Sequence, residues 1–547
     1  MPTLQFSKKD LEGLVGKKFS QTELEDALLF VKGEVDKVEG DRITLDVKET
    51  NRPDLWSVEG VARELRARLG KEKGIPKPRF GKPLIEIIVD QNSTTARACA
   101  SAAVIKNAKI TPEFLEQIIQ LQEKIAQTFG RKRKEVALGV YEFDRITPPI
   151  YYKGFSPRDK KFKPLDSTEE LSLEEILEKH PKGKEYGHLL RGEKKYPLWI
   201  DSKEEILSLP PIINSEKTGR VTTSTKNVFL EATGSKQEIV DTAVLVMALA
   251  FAERGAQIHQ VKIRYGKKTV VTPRLENKKI SLGIDYVQQI CGKKMNAKEI
   301  SKLLSSARYE PKIKGKKIEA AYPGYRHDIL HPIDVIEDIL ISIGYNKIKP
   351  GKTELLTRGS LLQQTTVKEN SREASIGIGL QEVLTYNLTS KEKQSAWIGL
   401  KSEELVEIEN PMSQNYSVFR KRIFPELLEF LNKNKHNPLP QRIFEVGKTV
   451  AIDASQETGV KETDTICMVV CEKNADFTRA KSMLESFCKT MGLELKTLEA
   501  KEPFLEKGRS AKVLVNGRTG FIGEISKDTL ANFGVEEKTI VVEILLE

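Results

Sequence analysis

The chain has 547 residues, 39% of them hydrophobic and 31% charged, and this composition excludes a wholly disordered protein. At roughly 100–200 residues per domain, a chain of this length is expected to form about three to five domains. Its 89 Lys and Arg residues exceed its 78 Asp and Glu residues by 11, a balance compatible with a polyanionic partner or simply with a basic soluble protein.

Cysteine usage and the first residues predict a cytoplasmic protein. The cysteines are odd in number and form no C-x-x-C pair, so we expect reduced thiols; they are Cys99, Cys291, Cys467, Cys471 and Cys488. The N-terminal sequence MPTLQFSKKDLEGLVG lacks the apolar core of a signal peptide. The longest apolar run, Ala243–Ala252, is too short to span a membrane, so no membrane contact is expected.

Residues 1–83 are predicted to form an N-terminal α+β domain. A strand-like segment at Arg42–Val47 precedes a helix-start signal at Pro53 and Asp54. Apolar residues then recur at helical spacing at Val58, Val61, Ala62, Leu65 and Leu69. The segment Lys71–Pro83 is rich in Pro, Gly and Lys, which is typical of a linker.

Three further α+β domains are expected, at residues 84–268, 269–346 and 352–547. In the second, helices are predicted at Pro112–Thr128 and Lys236–Arg254, strands at Leu84–Val89 and Val136–Val140, and a helix between exposed loops in Tyr152–Lys195. The third is predicted to contain a strand, two short helices and a helix at His331–Ile343. The fourth alternates helices with strands such as Arg442–Val446 and Ile540–Leu545.

An acidic group stands at the start of the helix predicted at His331–Ile343. Asp334, Glu337 and Asp338 occupy positions i, i+3 and i+4 on the face opposite the apolar one, and Asp328 precedes them closely. Carboxylates this close repel each other unless they are protonated or neutralised by a cation. Oxygen ligands of this kind suit Mg²⁺. The alternative is a solvated acidic helix face that interacts favourably with the helix dipole.

A second candidate site lies at residues 208–234. The rigid segment PPIIN at 210–214 precedes a strand in which Glu231 and Thr233 share one face. These two residues could instead be exposed positions on a strand edge. The basic run Arg131–Lys134 is either a solvated loop or a phosphate contact. His327 and His331 lie beside the acidic group and offer a less favoured zinc alternative.

Motifs along the whole chain resemble phenylalanyl-tRNA synthetase β subunits of the archaeal/eukaryotic type. They are TNRPDLWSVEGVAREL at 50–65, SLPPIINSEKTGRVTTSTKNVFLEATG at 208–234, YRHDILHPIDVIEDILISIGYNKI at 325–348, and QEVLTYNL, ENPMSQNYSVFRKRIFPELLEFL and RIFEVGKTV between 381 and 450. The resemblance implies an α+β multidomain fold: an editing domain (84–268), a winged-helix-like B5 domain (269–346) and a class II synthetase-like domain (352–547). Asp328, Asp334, Glu337 and Asp338 match the family's magnesium ligands by their spacing.

The resemblance also implies a hydrolytic site for tyrosine mischarged on tRNA(Phe). An apolar pocket only weakly rejects an analogue that differs from the substrate by an added hydroxyl, so a second site must correct such errors. Glu231 would accept the tyrosine hydroxyl and Thr233 would orient nearby groups, with Ser208 and Asn214 lining the pocket. No Ser-His-Asp or Cys-His pattern is evident, so water is the expected nucleophile.

The C-terminal domain is expected to be inactive in aminoacylation. Neither Gly377-Ile378-Gly379 nor the glycines of Gly517–Gly523 are followed by the arginine that class II sites use. The resemblance therefore implies that ATP and phenylalanine bind a separate α subunit, in an α2β2 assembly with tRNA(Phe). Two hypotheses follow: a ligase β subunit that edits Tyr-tRNA(Phe), or a non-enzymatic RNA-binding and assembly subunit with a decayed editing pocket.

Overall fold

The computed structural model describes residues 2–49, 51–91, 97–351, 356–401 and 404–546. The chain divides into two units, Met1–Gly351 and Lys352–Glu547. Thr50, which begins the motif at 50–65, and residues 352–355, which begin the fourth predicted domain, lie outside the described residues. Among the residues described, no helix is both long and apolar enough to cross a lipid bilayer.

The first segment of unit 1 is a small sheet covered by helices. The strands lie in the order Thr3–Ser7, Arg42–Val47, Gly33–Glu39, and all pairs are antiparallel. The helices are Lys8–Val15, Gln21–Leu28 and Val58–Arg68, the last following a 3-10 turn at Pro53–Leu55. Gly60 is required in this last helix because a Cβ there would overlap the backbone carbonyl of Asp54. The predicted strand and helix of this segment are confirmed.

A large mixed sheet forms the second segment. The described strands lie in the order Ile213–Asn214, Ile206–Leu209, Tyr196–Ile200, Ile150–Phe155, Phe80–Val89, Gln257–Tyr265, Cys99–Lys106, Val228–Gly234, Val136–Glu142, and Lys268–Thr272 also pairs with Gln257–Tyr265. Helices are Pro112–Lys124, which continues as a π-helix at Ile125–Phe129, and Leu173–Lys179, Pro181–Tyr186, Glu216–Gly219 and Gln237–Glu253. A short hairpin pairs Lys161–Phe162 with Leu171–Ser172.

The strand Val228–Gly234 is buried along its whole length. Val228, Leu230 and Ala232 face the core beneath the helix Gln237–Glu253, whereas Phe229 belongs to a separate core on the opposite face. Because strand side chains alternate between faces, Glu231 and Thr233 point to the same side as Phe229. The sheet therefore holds these two polar residues in its interior and not on an exposed edge.

Two sequence expectations for this segment are wrong in detail. The strand predicted at Leu84–Val89 is confirmed but begins at Phe80, so the end of the predicted linker Lys71–Pro83 is part of a strand and the proposed boundary at 83/84 falls inside it. Gly81 leaves room for the His259 ring on the paired strand, because a Cβ at position 81 would lie 2.5 Å from Nδ1 of His259. Residues 152–195 contain strands and two helices, not one helix between loops.

The third segment packs three helices on a three-stranded antiparallel sheet. The strand order is Asn277–Gly283, Lys317–Pro323, Glu310–Lys314. The helices are Ile284–Cys291, Ala297–Ser306 and Pro332–Ile343. The predicted helix at the end of this segment is confirmed, and Val335, Ile336 and Ile339 form its buried face.

Unit 2 is built on one seven-stranded sheet within the described residues. Its strand order is Gln381–Glu382, Gln441–Ile452, Val460–Cys471, Thr539–Leu545, Arg518–Ile525, Leu505–Val515, Leu495–Glu499, and only the first pair is parallel. Separate cores cover its two faces. The helices are Gln363–Gly377, Phe424–Lys433, Phe477–Met491 and Lys527–Phe533, and a small hairpin pairs Leu388–Thr389 with Val418–Phe419. All five cysteines are free thiols.

Candidate functional site

A cavity of about 860 Å³ lies in the second segment of unit 1. Its volume falls in the range typical of ligand-binding pockets, roughly 300–1,000 Å³. Three of the four residues predicted for this site line it, namely Ser208, Asn214 and Glu231. Its apolar wall includes Ile118, Leu138, Val140, Leu209, Pro210, Pro211 and Ile212. The sequence motif at 208–234 therefore does supply one wall of a real cavity.

A hydrogen-bonded network joins these three polar residues through Tyr141. The Tyr141 hydroxyl lies 2.7 Å from Oε1 of Glu231, 2.7 Å from Oγ of Ser208 and 3.2 Å from Oδ1 of Asn214. A phenol has one hydrogen to donate, and a carboxylate is the strongest of these acceptors. The Tyr141 hydroxyl therefore donates to Glu231, and Ser208 and Asn214 surround its oxygen.

The Glu231 carboxyl is held in an apolar setting. Its side chain is only 3% exposed, and in the part of the chain that the structure describes its Oε2 has no hydrogen-bond partner. Burial raises the pKa of Glu231 to about 7, although the Tyr141 hydrogen bond and the positive charge of Arg97 oppose this shift. The group can therefore gain or lose a proton near neutral pH, as groups at functional sites often do.

Thr233 does not line the cavity, so its predicted place in the pocket is corrected. Its side chain is fully buried, and its hydroxyl accepts a hydrogen bond of 3.0 Å from Nε of Arg97. Arg97 also donates to the carbonyl oxygens of Thr233 and Arg133. Thr233 therefore holds a buried guanidinium whose charge acts on Glu231, and it contacts no open space itself.

Sequence reasoning missed Tyr141 and Gly139, which stand on the strand next to Glu231. Gly139 is the direct cross-strand neighbour of Glu231. A Cβ at this position would overlap the Tyr141 hydroxyl and lie 2.5 Å from Oε1 of Glu231. A glycine inside a strand often marks such a close approach, so the pattern Ala137, Gly139, Tyr141 was a usable signal.

The acidic group at 328–338 is arranged differently from the prediction. Asp334 caps its own helix, because Oδ2 accepts hydrogen bonds from the backbone N–H groups of Leu330 and His331. Asp328 Oδ1 accepts a hydrogen bond of 2.8 Å from Nε of Arg326. Glu337 is about half exposed and lies 2.7 Å from Nζ of Lys32.

Asp338 is the buried member of this group. Its Oδ1 lies 2.7 Å from Nη2 of Arg68, and its Oδ2 lies 2.8 Å from Nη2 of Arg326 and 2.7 Å from the Tyr309 hydroxyl. Burial alone would raise the pKa of Asp338, but attraction to Arg326, Arg68 and Arg52 outweighs it and holds the pKa far below its ordinary range. Asp338 is therefore an anion enclosed by guanidinium groups.

These contacts do not fit the predicted magnesium site. The four acids share a cavity of only about 10 Å³ with Arg52, Arg326 and Lys32, about enough for one water molecule. Among the described residues, no group of three or more His, Cys, Asp or Glu side chains is arranged to hold a metal ion. Magnesium ligation by Asp328, Asp334, Glu337 and Asp338 stays a prediction.

Two neighbouring candidates also have internal partners. His327 Nε2 lies 2.7 Å from the Thr242 hydroxyl, and His331 Nδ1 accepts from the N–H of Ile333, so each ring has one nitrogen engaged within the protein. In the basic run, Arg131, Lys132 and Lys134 are exposed. Arg133 instead lies over the Tyr186 ring and donates to the carbonyls of Pro211 and Ile212, which bound the 860 Å³ cavity.

Comparisons with known proteins cover the whole chain. The phenylalanine–tRNA ligase β subunit of Pyrococcus horikoshii is 44% identical over 551 residues, spanning 100% of this chain and 99% of the relative. The chain belongs to the phenylalanine–tRNA ligase β-subunit family. Korarchaeum cryptofilum supplies a more distant β subunit, 35% identical over 553 residues, again spanning 100% of this chain and 99% of the relative. Both relatives are archaeal, and the recognition made from the motifs is confirmed.

Family models divide the β-subunit sequence into three matched regions. They are a B3/4 domain at residues 88–263, a tRNA synthetase B5 domain at 280–345 and a phenylalanyl tRNA synthetase beta chain CLM domain at 353–546. An N-terminal fragment of the Pyrococcus horikoshii β subunit aligns with a TM-score of 0.61 and 48% identity, covering 63% of this chain and 100% of that fragment. The residues that line the 860 Å³ cavity all lie in the B3/4 region, and the acidic group lies in the B5 region.

In the C-terminal unit of this β subunit, the buried side chain of Arg420 is held by neighbouring polar groups of the protein. Buried Arg420 lies 2.7 Å from Glu445, donates to the Thr385 hydroxyl, and bonds the carbonyl of Lys448. Gly447 leaves room for this guanidinium, which a Cβ would overlap. Gly377 ends a helix and Gly517 lies in a hairpin turn, so neither glycine motif begins a helix.

Proposed function

We propose that the chain acts as the β subunit of a phenylalanine–tRNA ligase whose separate α subunit binds ATP and phenylalanine, in an α2β2 assembly that charges tRNA(Phe). Family membership over the full length supports the partnership. Neither glycine motif of the C-terminal unit is followed by the arginine that class II sites use, which supports an inactive C-terminal unit. A net charge of +11 is suited to a tRNA partner.

The proposed roles extend to the individual folds. The three helices and three strands within residues 277–343 support a winged-helix-like B5 domain. The antiparallel sheet with flanking helices in residues 363–545 supports a class II synthetase-like domain. We assign the first of these to assembly and tRNA contact, and the second to the interface with the α subunit.

The 860 Å³ cavity is the proposed site that hydrolyses Tyr-tRNA(Phe). The observation that carries this assignment is Glu231, a buried carboxyl at the cavity wall whose Oε2 has no hydrogen-bond partner among the described residues. A tyrosyl hydroxyl entering the cavity would supply that partner, whereas a phenylalanyl ring would leave the oxygen unsatisfied. Leaving a buried polar group unsatisfied is what gives a site strong discrimination.

Water is the proposed nucleophile. Ser208 Oγ is engaged with Tyr141, and in the described part of the chain no histidine is hydrogen-bonded to it. In the reaction, the water oxygen attacks the ester carbonyl and the bond to the terminal ribose oxygen breaks. The products are free tyrosine and tRNA(Phe) with its ribose hydroxyl restored. The role of Glu231 is to orient the tyrosyl ester, so that the cavity holds the ester where water can reach it.

The test is deacylation of Tyr-tRNA(Phe) and Phe-tRNA(Phe) by the complete ligase. Glu231→Ala should reduce the preference for the tyrosyl ester by roughly 10- to 150-fold, since a hydrogen bond to a charged group is worth about 1.5–3 kcal/mol. Charging with phenylalanine should stay close to the parental rate, because the proposed charging site belongs to the separate α subunit. Thr233→Ala should act in the same direction but more weakly, through Arg97.

Glu238→Ala is the matched control. Glu238 is an exposed glutamate of the same region that pairs with Lys278 and does not line the cavity. If Glu231→Ala and Glu238→Ala both deacylate at the parental rate, Glu231 is an ordinary strand residue. If the parental ligase itself does not hydrolyse Tyr-tRNA(Phe), the chain is a non-enzymatic RNA-binding and assembly subunit.

A further inference from the structure

The two oxygens of the Glu231 carboxylate have different surroundings. Oε1 accepts a hydrogen bond of 2.7 Å from the Tyr141 hydroxyl. Oε2 is buried and has no hydrogen-bond partner among the residues that the structure describes. Glu231 lines the cavity, whereas Tyr141 does not. One oxygen is thus held by Tyr141, and the other is buried without a partner in a residue that lines the cavity, near the Trp199 indole N–H, which also has no partner among the described residues.

Tyr141 is itself fixed in place. Its side chain is fully buried, and its ring lies 5.8 Å from that of Phe229. Gly139 provides the space that the hydroxyl occupies, because any Cβ there would overlap it. Ser208 and Asn214 approach the phenolic oxygen from the side of the strand pair 206–214. A side chain held on every side can orient its neighbour with little loss of conformational entropy on substrate binding.

We infer that Tyr141 is a positioning residue of the hydrolytic site: by occupying Oε1 of Glu231 it directs Oε2 toward the cavity, where the hydroxyl of a tyrosyl ester is received. This inference rests on the proposed function of the cavity and assigns Ser208 and Asn214 a role through Tyr141. It also explains the glycine at 139, since only a missing side chain lets the phenol reach the carboxylate.

The protonation of Glu231 gives this role a measurable signature. The charged or titratable groups that act on Glu231 are Arg97, Tyr141 and Tyr152, and the Trp199 indole also lies against it. The Tyr141 hydrogen bond favours the ionised carboxylate and so lowers the pKa of Glu231. Removing the hydroxyl should therefore move the ionisation of Glu231 to higher pH, which a purely structural defect would not do.

The experiment is a double-mutant cycle with Tyr141→Phe and Glu231→Gln in the complete ligase. Tyr141→Phe should lower the preference for Tyr-tRNA(Phe) over Phe-tRNA(Phe) by about tenfold, the smallest effect expected for a charge-assisted hydrogen bond. The midpoint of its pH–rate profile should rise by about one unit. In the Glu231→Gln background, Tyr141→Phe should cause no further loss, because the two residues act as one unit.

Tyr265→Phe is the control for losing a buried phenolic hydroxyl. Tyr265 is buried in the same sheet, but its hydroxyl bonds the backbone of Ala100. If Tyr141→Phe and Tyr265→Phe have the same effects, or if the Tyr141→Phe loss is additive with Glu231→Gln, the positioning role is overturned.

A second measurement separates this inference from the proposed function. The pH dependence of the thermal midpoint, compared between the parental chain and Glu231→Gln, reports the ionisation of Glu231 whether or not the chain hydrolyses an ester. Tyr141→Phe should shift that dependence upward by about one pH unit. An unchanged dependence overturns the inference, whereas an upward shift in a chain that does not deacylate supports the contact and rejects the proposed hydrolysis alone.

Discussion

Replacing Asp338 by asparagine should loosen the helix Pro332–Ile343 far more than the same change at the adjacent acid. Asp338 is 5% exposed and contacts Arg68, Arg326 and Tyr309. Asparagine has nearly the same shape as aspartate but no charge, so the buried guanidinium groups of Arg68 and Arg326 would lose an anionic partner. Removing one partner of a buried ion pair typically costs about 3–5 kcal/mol.

Glu337→Gln is the matched control for this change. Glu337 carries the same charge one residue earlier, but its side chain is 47% exposed and pairs with Lys32. Exposed pairs of this kind contribute about 0–1 kcal/mol. Exchange of the backbone amides of Pro332–Ile343 with deuterium, followed by mass spectrometry, should thus accelerate by roughly two to four orders of magnitude in Asp338→Asn and by less than about tenfold in Glu337→Gln.

The same assay separates guanidinium groups from a metal ion as the partners of these acids. In the chain alone, EDTA should leave the exchange of this helix unchanged, because Arg68 and Arg326 pair with Asp338, and Arg52 and Arg326 pair with Asp328. Equal, small effects of the two variants would refute the buried network. A large protection by Mg²⁺ that EDTA removes would show that the predicted magnesium site forms and displaces the arginines.

The remaining predictions concern the cavity and the C-terminal unit. Gly139→Ala should abolish the preference for Tyr-tRNA(Phe) and lower the thermal midpoint, since its Cβ would overlap the Tyr141 hydroxyl; parental values for both would contradict the packing. Burial raises the pKa of Glu231 from 4.5 to about 7, so the folded chain binds the proton more tightly and stability falls as pH rises through that range. Glu231→Gln should consequently be more stable than the parental chain at pH 8, by on the order of 3 kcal/mol in chemical unfolding, and not at pH 4. The purified chain should catalyse no phenylalanine-dependent ATP–pyrophosphate exchange until the α subunit is added, and exchange by the chain alone would reject the division of labour.

Sequence patterns predicted the secondary structure that depends on neighbouring residues. The spacing of apolar residues predicted the helix at His331–Ile343, and Asp334, Glu337 and Asp338 do lie on its first two turns. The partners of these acids could not be predicted in the same way. Arg68 lies 270 positions away from Asp338 in the sequence, and no periodicity reports which distant cation will pack against a given carboxylate.

The cavity shows the same limit. The motif at 208–234 pointed to Glu231, Ser208 and Asn214, and all three line one cavity. The motif could not predict that Thr233 contacts Arg97 and not the cavity. Glu231 and Thr233 lie on the same face of the strand and differ only in the side chains that surround them. Composition alone indicated a linker at residues 80–83, which contain Gly and Pro. These residues instead begin a strand, because they pair with the strand Gln257–Tyr265 far along the chain.

The helix Val58–Arg68 has a consequence for how the chain is made. It places Glu59, Arg63 and Glu64 in the interior, and Glu59 finds its counter-ion at Arg254 while Arg68 finds one at Asp338. A ribosome that adds roughly 5–20 residues per second needs about 15–60 seconds to extend the chain from this helix to Asp338. Until Arg254 is made, Glu59 lacks the counter-ion that it has in the folded chain, and until Asp338 is made, Arg68 has Glu64 of its own helix as a counter-ion. The final packing of the N-terminal segment is therefore tied to the end of unit 1, and the nascent chain has to keep these residues hydrated until then.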